Sequence, residues 1–215
     1  MTLQAKTLGD VVVVETPRGF IPPDTETDKL DAALRGPIRD GHKKILLDLA
    51  RSTHMTSRTI GMLVGVQANA FKSGAALYLC NVDKRIHNLL LILWLTRVLN
   101  VLGTRKEALD LLSKLDLQLA DDVVHFRAAR VENLNTTLAY MWTNNGAAAT
   151  VSQEASGGAG RIMLRMRDAS GHEVFARHLD EPGAFATTAG KPGAWRIELD
   201  LTDYTGPLEF GIAKL

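Results

Sequence analysis

The chain has 215 residues, of which 46% are apolar and 23% are charged, and 25 Lys and Arg stand against 24 Asp and Glu. This is enough apolar material for one large or two small hydrophobic cores, and it excludes a disordered chain. The positive residues are scattered and do not alternate with aromatic residues, so we expect no nucleic-acid partner.

The first half of the chain alternates between strand-like and helix-like patterns. Short β-branched or apolar runs predict strands, and segments with a 3.6-residue apolar period predict helices. Alternation of this kind predicts a sheet that is covered by helices and connected by parallel crossovers. The predicted order is strand 10–15, helix 24–41, strand 44–49, helix 57–74, strand 75–80, helix 83–95, strand 98–102 and helix 104–112.

The helix that begins after residue 56 has one apolar side. Its members recur at i, i+3, i+4, i+7 and i+11, which is the spacing of a core-facing stripe. We predict that this stripe consists of Ile60, Leu63, Val64, Gln67 and Phe71. Later in the chain, Asp83 is placed to cap the third helix, and Thr104 with Glu107 forms the capping box of the fourth.

The second half has a different organisation. Beyond about Leu117, short segments of alternating hydrophobicity are separated by turn-forming residues, and this pattern predicts an antiparallel sandwich. The predicted strands are 161–168, 172–179, 194–201 and 207–215. Residues 1–115 hold 16 Lys and Arg against 11 Asp and Glu, whereas residues 116–215 hold 9 against 13. We therefore predict an α/β domain at 1–116 and an all-β antiparallel sandwich domain of unassigned family at 117–215.

The segment from Gly9 to Leu112 resembles the STAS domain, the family of anti-sigma factor antagonists and sulfate-transporter tails. The resemblance lies in the order of the strand VVVV, the segment ILLDLARSTHMTSRTIGMLVG, the segment LYLCNVDKRIHNLLLIL and the closing VLGTRKEAL. It implies that residues 1–116 form a STAS-like α/β domain with a mixed sheet.

The resemblance also implies a functional site. In regulatory STAS proteins the turn before the central helix carries an Asp-Ser-Ser-Gly motif, whose first serine is phosphorylated by a partner kinase that is also the anti-sigma factor. Here Thr56, Ser57, Arg58 and Thr59 occupy these four positions, so only the phosphorylatable serine is retained. The resemblance makes Ser57 the phosphorylation candidate. The partner-binding surface that it implies comprises Ser52, Thr53, His54, Met55, Thr56, Arg58 and Thr59.

Several alternatives remain open at this stage. Ser57 is either a phosphorylation site or simply the N-cap of the helix, and Arg58 either pairs with an anion or is a solvated surface arginine. The module itself could instead sense a nucleotide or small anion at the same helix start, or act as a non-switching scaffold that self-associates. The apolar run Leu89–Leu95 exceeds one helix face, and it is directed either to a partner or to the second domain.

The remaining expectations follow from features that the sequence lacks. No convergent set of acid, base and nucleophile is recognisable, so we expect no enzyme, no cofactor and no metal. The N-terminus has no signal-peptide pattern and no segment is long enough to span a bilayer, which predicts a cytoplasmic protein without a membrane partner. The resemblance implies a bacterial regulator of transcription. Its partner would be an anti-sigma factor or a similar serine kinase.

Overall fold

The computed structural model describes residues 3–16, 24–146, 148–155 and 158–215. The chain forms two compact units, residues 1–113 and residues 114–215. The predicted division into separate domains at residue 116 stays a prediction.

The first unit is a five-stranded sheet with helices between its parallel strands. The strand order is β1-β2-β3-β4-β5, with β1 antiparallel to β2 and all other neighbours parallel. The mixed sheet covered by helices is therefore confirmed. The elements are β1 (Gln4–Leu8), β2 (Val11–Glu15), α1 (Asp24–Arg39), β3 (Lys44–Asp48), α2 (Ser57–Lys72), β4 (Ala76–Cys80), α3 (Lys84–Ile92), β5 (Asn100–Val101) and α4 (Arg105–Lys114).

The strands of this sheet are apolar because helices cover them. Every residue of β3 and β4 is buried, which is why the interior of each strand reads as a continuous apolar run and not as an alternating one. The two ends of β3 are the buried charged residues Lys44 and Asp48. Strand β1 was not predicted. Its sequence, QAKTL, has no apolar run, and it forms only by pairing with β2 at the edge of the sheet.

Helix α2 buries a slightly different face from the predicted one. Ile60, Leu63 and Gln67 are buried as expected, but Val64 and Phe71 are only half-buried. Thr59, Val66 and Ala70 take part in the buried face instead. The buried face is thus rotated toward small side chains, which allow the helix to approach the sheet closely.

Two other boundaries differ from the prediction. Helix α3 ends at Ile92 and is followed by a single 3-10 turn at Leu95–Arg97, so it does not extend through residue 95. The last strand of the first unit, β5, is only two residues long. The predicted caps are confirmed: Asp83 Oδ1 accepts a hydrogen bond from the Arg85 amide at 2.9 Å. Thr104 and Glu107 accept each other's backbone N–H at 3.3 and 2.8 Å.

The second unit is an antiparallel sheet of seven strands. The main path is β10-β9-β12-β7-β6, and β8 pairs with the C-terminal part of β12 and with β11. The strands are β6 (Leu115–Leu119), β7 (Val123–Asn144), β8 (Ala149–Ala155), β9 (Ala159–Arg167), β10 (Glu173–His178), β11 (Gly183–Ala186) and β12 (Gly193–Lys214). The all-β antiparallel class is confirmed, although β6, β7, β8 and β11 were not predicted.

Strands β7 and β12 fold this sheet into two layers. Phe126 and Tyr140 both belong to β7, and in a straight strand they would be roughly 45 Å apart. Their ring centroids are 5.9 Å apart, so the strand bends back over itself. In β12 the pairing register shifts between Leu201 and Leu208, at the TDYTG segment that we had predicted to be a turn between two strands. A bulged bend inside one strand replaces that turn.

Trp195 organises the turn region of the second unit. The side chain is fully buried, lies edge-on to Trp142 at 6.4 Å between centroids, and donates its indole N–H to the Lys191 carbonyl at 2.8 Å. Asp168 also holds Lys191, because its carboxylate accepts the Lys191 amide at 2.8 Å. The carboxylate also accepts the Ser170 and His172 amides and the Ser170 hydroxyl.

We expect Asp168 to make the second unit sensitive to acid. The hydrogen bonds from Lys191 and then from Ser170 and His172 hold the pKa of this carboxyl far below its usual range. A depressed folded-state pKa contributes stability that is present above the unfolded-state pKa and is lost as the pH falls through the folded-state value. Asp168→Asn should therefore be less stable than wild type at pH 7. The difference should shrink between about pH 5 and pH 2.

Urea unfolding of the two proteins across this pH range checks the prediction. Asp203→Asn is the matched control, because Asp203 is an exposed acid of the same unit whose side chain accepts a single hydrogen bond, from Asn135. If Asp168→Asn and wild type lost stability in parallel as the pH fell, the carboxylate would not have the assigned role.

Candidate functional site

The turn between β3 and α2 is anchored by buried hydrogen bonds. Ser52 is only 3% exposed and donates its hydroxyl to Thr16 Oγ1 at 3.0 Å, and Thr16 in turn donates to the Asp48 carbonyl at 3.1 Å. The Ser52 amide donates to the Leu49 carbonyl at 2.8 Å. These bonds tie the first half of the turn to the ends of β2 and β3, so the turn has a fixed support at the sheet.

Thr56, not Ser57, is the N-cap of α2. It has extended backbone angles (φ −82°, ψ 158°), and its hydroxyl accepts the Thr59 amide at 3.2 Å. The hydroxyls of Thr56 and Thr59 are also 3.0 Å apart. Thr59 is 2% exposed, so its side chain lies on the side of the first helical turn that faces the interior. The expectation that Ser57 serves as the cap is thus replaced by a Thr56–Thr59 pair.

Ser57 is the first residue of the 16-residue helix α2, and its side chain is exposed. No described residue forms a hydrogen bond with its hydroxyl. The free N–H groups and the positive end of the helix dipole lie at this position, where an added anion is stabilised. Its hydroxyl is therefore accessible to a modifying enzyme and stands where a phosphate is tolerated.

The predicted partner-binding residues divide into two groups. Thr53, His54, Thr56 and Arg58 are exposed, and Met55 is half-buried. Ser52 and Thr59 are buried and face the interior. The second pair supports the turn and has no surface to offer, so any docking contact would come from the first group.

Arg58 pairs with an acid of the same chain. Its Nη2 lies 2.9 Å from Oδ1 of Asp28 on α1, and the two side chains are 49% and 71% exposed. An ion pair this exposed contributes little to stability. Arg58 follows Ser57 in the chain, and this ion pair directs its guanidinium toward α1.

A charged network that the sequence did not reveal lies at the carboxyl ends of the parallel strands. Arg105, the first residue of α4, donates to Glu15 at 2.5 Å and to Asp48 at 3.4 Å. Asp48, which is buried, also accepts the Asn81 side-chain amide at 2.9 Å and the Ala50 amide at 3.0 Å. The hydrogen bond to Glu15 is the first cause of the raised pKa of Arg105. The sequence signal that could have indicated this network is an acid at the last position of each of two strands, Glu15 in β2 and Asp48 in β3.

This network supports the turn between β3 and α2. Both oxygens of Asp48 are engaged, and one of them holds the first residue of the turn through the Ala50 amide. Burial, with a smaller effect of Asp48, raises the pKa of the neighbouring Cys80 thiol to about 12. The thiol is therefore protonated at neutral pH and is a poor nucleophile.

A small cavity lies beneath the turn. Its volume is about 10 Å³, and apolar side chains of α1, β3 and α2 line it together with Ser52, His54 and Thr59. A cavity of this size holds about one water molecule. This cavity cannot hold a nucleotide.

Among the helices that the structure describes, none has the length and hydropathy to cross a bilayer.

Comparison with known proteins gives structural matches only. No family model matches the sequence, and no curated protein is significantly similar to it. The solved structures that match include three that align with about half of this chain. RsbS from Moorella thermoacetica, in a variant form, has 16% identity and a TM-score of 0.46 over 53% of this chain and 96% of its own. A Thermotoga maritima protein described as a candidate anti-sigma factor antagonist has 19% identity and a TM-score of 0.44, over 50% and 92%. Phosphorylated SpoIIAA from Bacillus has 17% identity and a TM-score of 0.42, over 51% and 97%.

Two of these proteins, the Thermotoga protein and SpoIIAA, are described as anti-sigma factor antagonists, and all three matches cover the N-terminal half of the chain. Solved structures with a STAS-like fold match the first half of the chain, and the second unit is an antiparallel sheet of unassigned family.

Proposed function

We propose that the first unit is a regulatory protein-interaction module. Its partner docks on the exposed residues of the turn 52–59 and on the start of α2, and phosphorylation of Ser57 controls the docking. The observation that carries this proposal is the position of Ser57 at the start of a long helix, directly after a turn that buried hydrogen bonds hold in place. Its hydroxyl is exposed and has no hydrogen-bond partner among the described residues.

A phosphate at Ser57 would change the surface in two ways. It adds a charge of about −1.5 to −2 at neutral pH, which the helix start tolerates but a docked interface must desolvate. It would also compete with Asp28 for the Arg58 guanidinium, which now lies 2.9 Å from the Asp28 carboxylate. Both changes disfavour a partner that recognises the unmodified turn.

The proposed partner is an anti-sigma factor or a similar serine kinase. This part of the proposal rests on the resemblance of residues 9–112 to the STAS family. The resemblance is incomplete at the motif, where Thr56, Arg58 and Thr59 replace the usual residues. The Thr56–Thr59 pair preserves the turn without the motif's glycine, and the kinase would have to accept Arg58 beside its target.

The test begins with the protein purified from its native host. We expect peptide mapping by mass spectrometry to find a phosphate on Ser57 and none on Ser73, an exposed serine at the opposite end of the same helix. We then expect Ser57→Asp to weaken binding to the co-purifying partner by about tenfold or more, because the new charge loses hydration in the interface. Ser73→Asp should leave binding unchanged.

Two results would contradict the proposal. Equal partner binding by the Ser57→Asp and Ser73→Asp proteins would remove the turn from the interface. The second result is a partner that binds through the turn while Ser57 stays unmodified during growth and under stress. The first unit would then be a constitutive binding module, and the proposed phosphorylation switch would be excluded. Hydrogen exchange at residues 49–60 with and without partner distinguishes the two cases.

A further inference from the structure

The end of α3 carries an exposed cluster of large apolar side chains. Leu91, Ile92, Leu93 and Trp94 are 48%, 75%, 48% and 65% exposed, and we name these four residues the α3 tip. In the part of the chain that the structure describes, the other large exposed apolar residues are Val123 and Leu215. The tip thus concentrates most of the exposed large apolar side chains in one short segment.

The arrangement of the α3 tip does not suit a partner helix. A helix that docks in a groove presents anchors at i, i+3, i+4 and i+7, which lie on one face. Leu91 and Ile92 are consecutive helical residues, about 100° apart around the axis. Leu93 caps the helix and Trp94 has a positive φ of 58°, so the tip does not form a single helical face. On this helix the face toward the core is already supplied by Ile86 and Leu90, which are buried. A fluid apolar medium can surround such a tip, whereas a rigid groove would contact only part of it.

Positively charged residues flank the α3 tip on both sides in the sequence. Lys84 and Arg85 are exposed in the first turn of α3, and they share faces with Leu91 and Ile92, seven residues later. The Arg97 guanidinium lies 4.6 Å from the centroid of the Trp94 ring. Asp83 is the one acid between residues 81 and 104, and its side chain caps α3 by accepting the Arg85 amide.

We propose that the α3 tip binds an anionic lipid bilayer. Leucine and isoleucine side chains would enter the boundary between headgroups and acyl chains, and Trp94 would lie at the headgroup level, where tryptophan is favoured. Lys84, Arg85 and Arg97 would face the lipid phosphates. The expectation of no membrane partner rested on the lack of a spanning segment, and peripheral binding needs none. This proposal is independent of the role of Ser57.

Sedimentation with vesicles tests this proposal on the full chain. The probes are vesicles of phosphatidylcholine alone and vesicles in which phosphatidylglycerol replaces part of it. We expect binding to the anionic vesicles only, weakened by raised salt and reduced about tenfold or more by Ile92→Asp. Leu215→Asp is the matched control, because Leu215 is a single apolar residue that is 70% exposed, and binding should be unchanged.

Intrinsic fluorescence gives a second readout. Trp142 and Trp195 are buried, so a blue shift on adding anionic vesicles would come from Trp94 and should vanish in Trp94→Phe. The proposal is overturned if anionic vesicles do not bind the protein, or if Ile92→Asp binds them as wild type does. A dimer that Ile92→Asp disrupts, seen by analytical ultracentrifugation without lipid binding, would assign the tip to self-association instead.

Discussion

Replacing Trp195 with alanine should lower the free energy of unfolding of the second unit by about 3–5 kcal/mol, because a fully buried indole leaves a cavity that the sheet cannot close. The side chain is 0% exposed and packs edge-on against Trp142. Its loss also leaves the Lys191 carbonyl without the indole donor that lies 2.8 Å away. Urea unfolding, followed by hydrogen exchange of peptides from β12 (Gly193–Lys214), measures the effect on this unit.

Trp195→Phe separates packing from hydrogen bonding. Phenylalanine retains most of the buried apolar volume but cannot donate to Lys191, so we expect a loss intermediate between wild type and Trp195→Ala. Peptides from β3 and β4 should keep their exchange protection in both variants. A Trp195→Ala protein as stable as wild type would show that the tryptophan does not hold the turn at Lys191.

Replacing Gln67 with methionine should destabilise the first unit by about 2–4 kcal/mol, because two backbone groups lose their partners in the interior. Gln67 is 0% exposed. Its Oε1 accepts the Leu77 amide at 2.7 Å, and its Nε2 donates to the Val98 carbonyl at 3.2 Å. Methionine has a similar length and fills the same space, so the effect reports mainly on the hydrogen bonds.

The neighbouring Asn69 provides the control for this prediction. It is half-buried on the same helix, and Asn69→Met should change the stability by less than about 0.5 kcal/mol. Because Gln67 ties α2 to β4, Gln67→Met should also speed hydrogen exchange at the start of α2, near Ser57. Exchange at residues 57–60 that matched wild type would show that the turn is held without this side chain.

The sheet of the first unit was predictable because its burial leaves a direct trace in the sequence. Strands β3 and β4 are buried along their whole length, so the central residues of each must be apolar. The helix periods and the caps at Asp83 and Thr104 are local as well. Strand β1 left no such trace, because an edge strand is defined by its pairing with β2 and not by its composition.

The long strands of the second unit illustrate the opposite case. The sequence of β12 contains a turn-forming segment, TDYTG, which locally favours a break. Pairing with β7 along almost its whole length overrides this preference, and the segment becomes a bulged bend. Contacts between residues far apart in sequence decided this, and no local pattern contains them.

The candidate site divides in the same way. The sequence alone determined that a hydroxyl-rich turn joins a buried strand to a helix, because strand and helix periods are local properties. Only the tertiary structure decided that Ser52 and Thr59 face inward, that Thr56 is the cap, and that Ser57 is left exposed. The pairing of Arg105 with Glu15 and Asp48 likewise joins residues up to 90 positions apart. Exposure and ion pairing depend on which distant segments pack together, and that information appears only when the chain has folded.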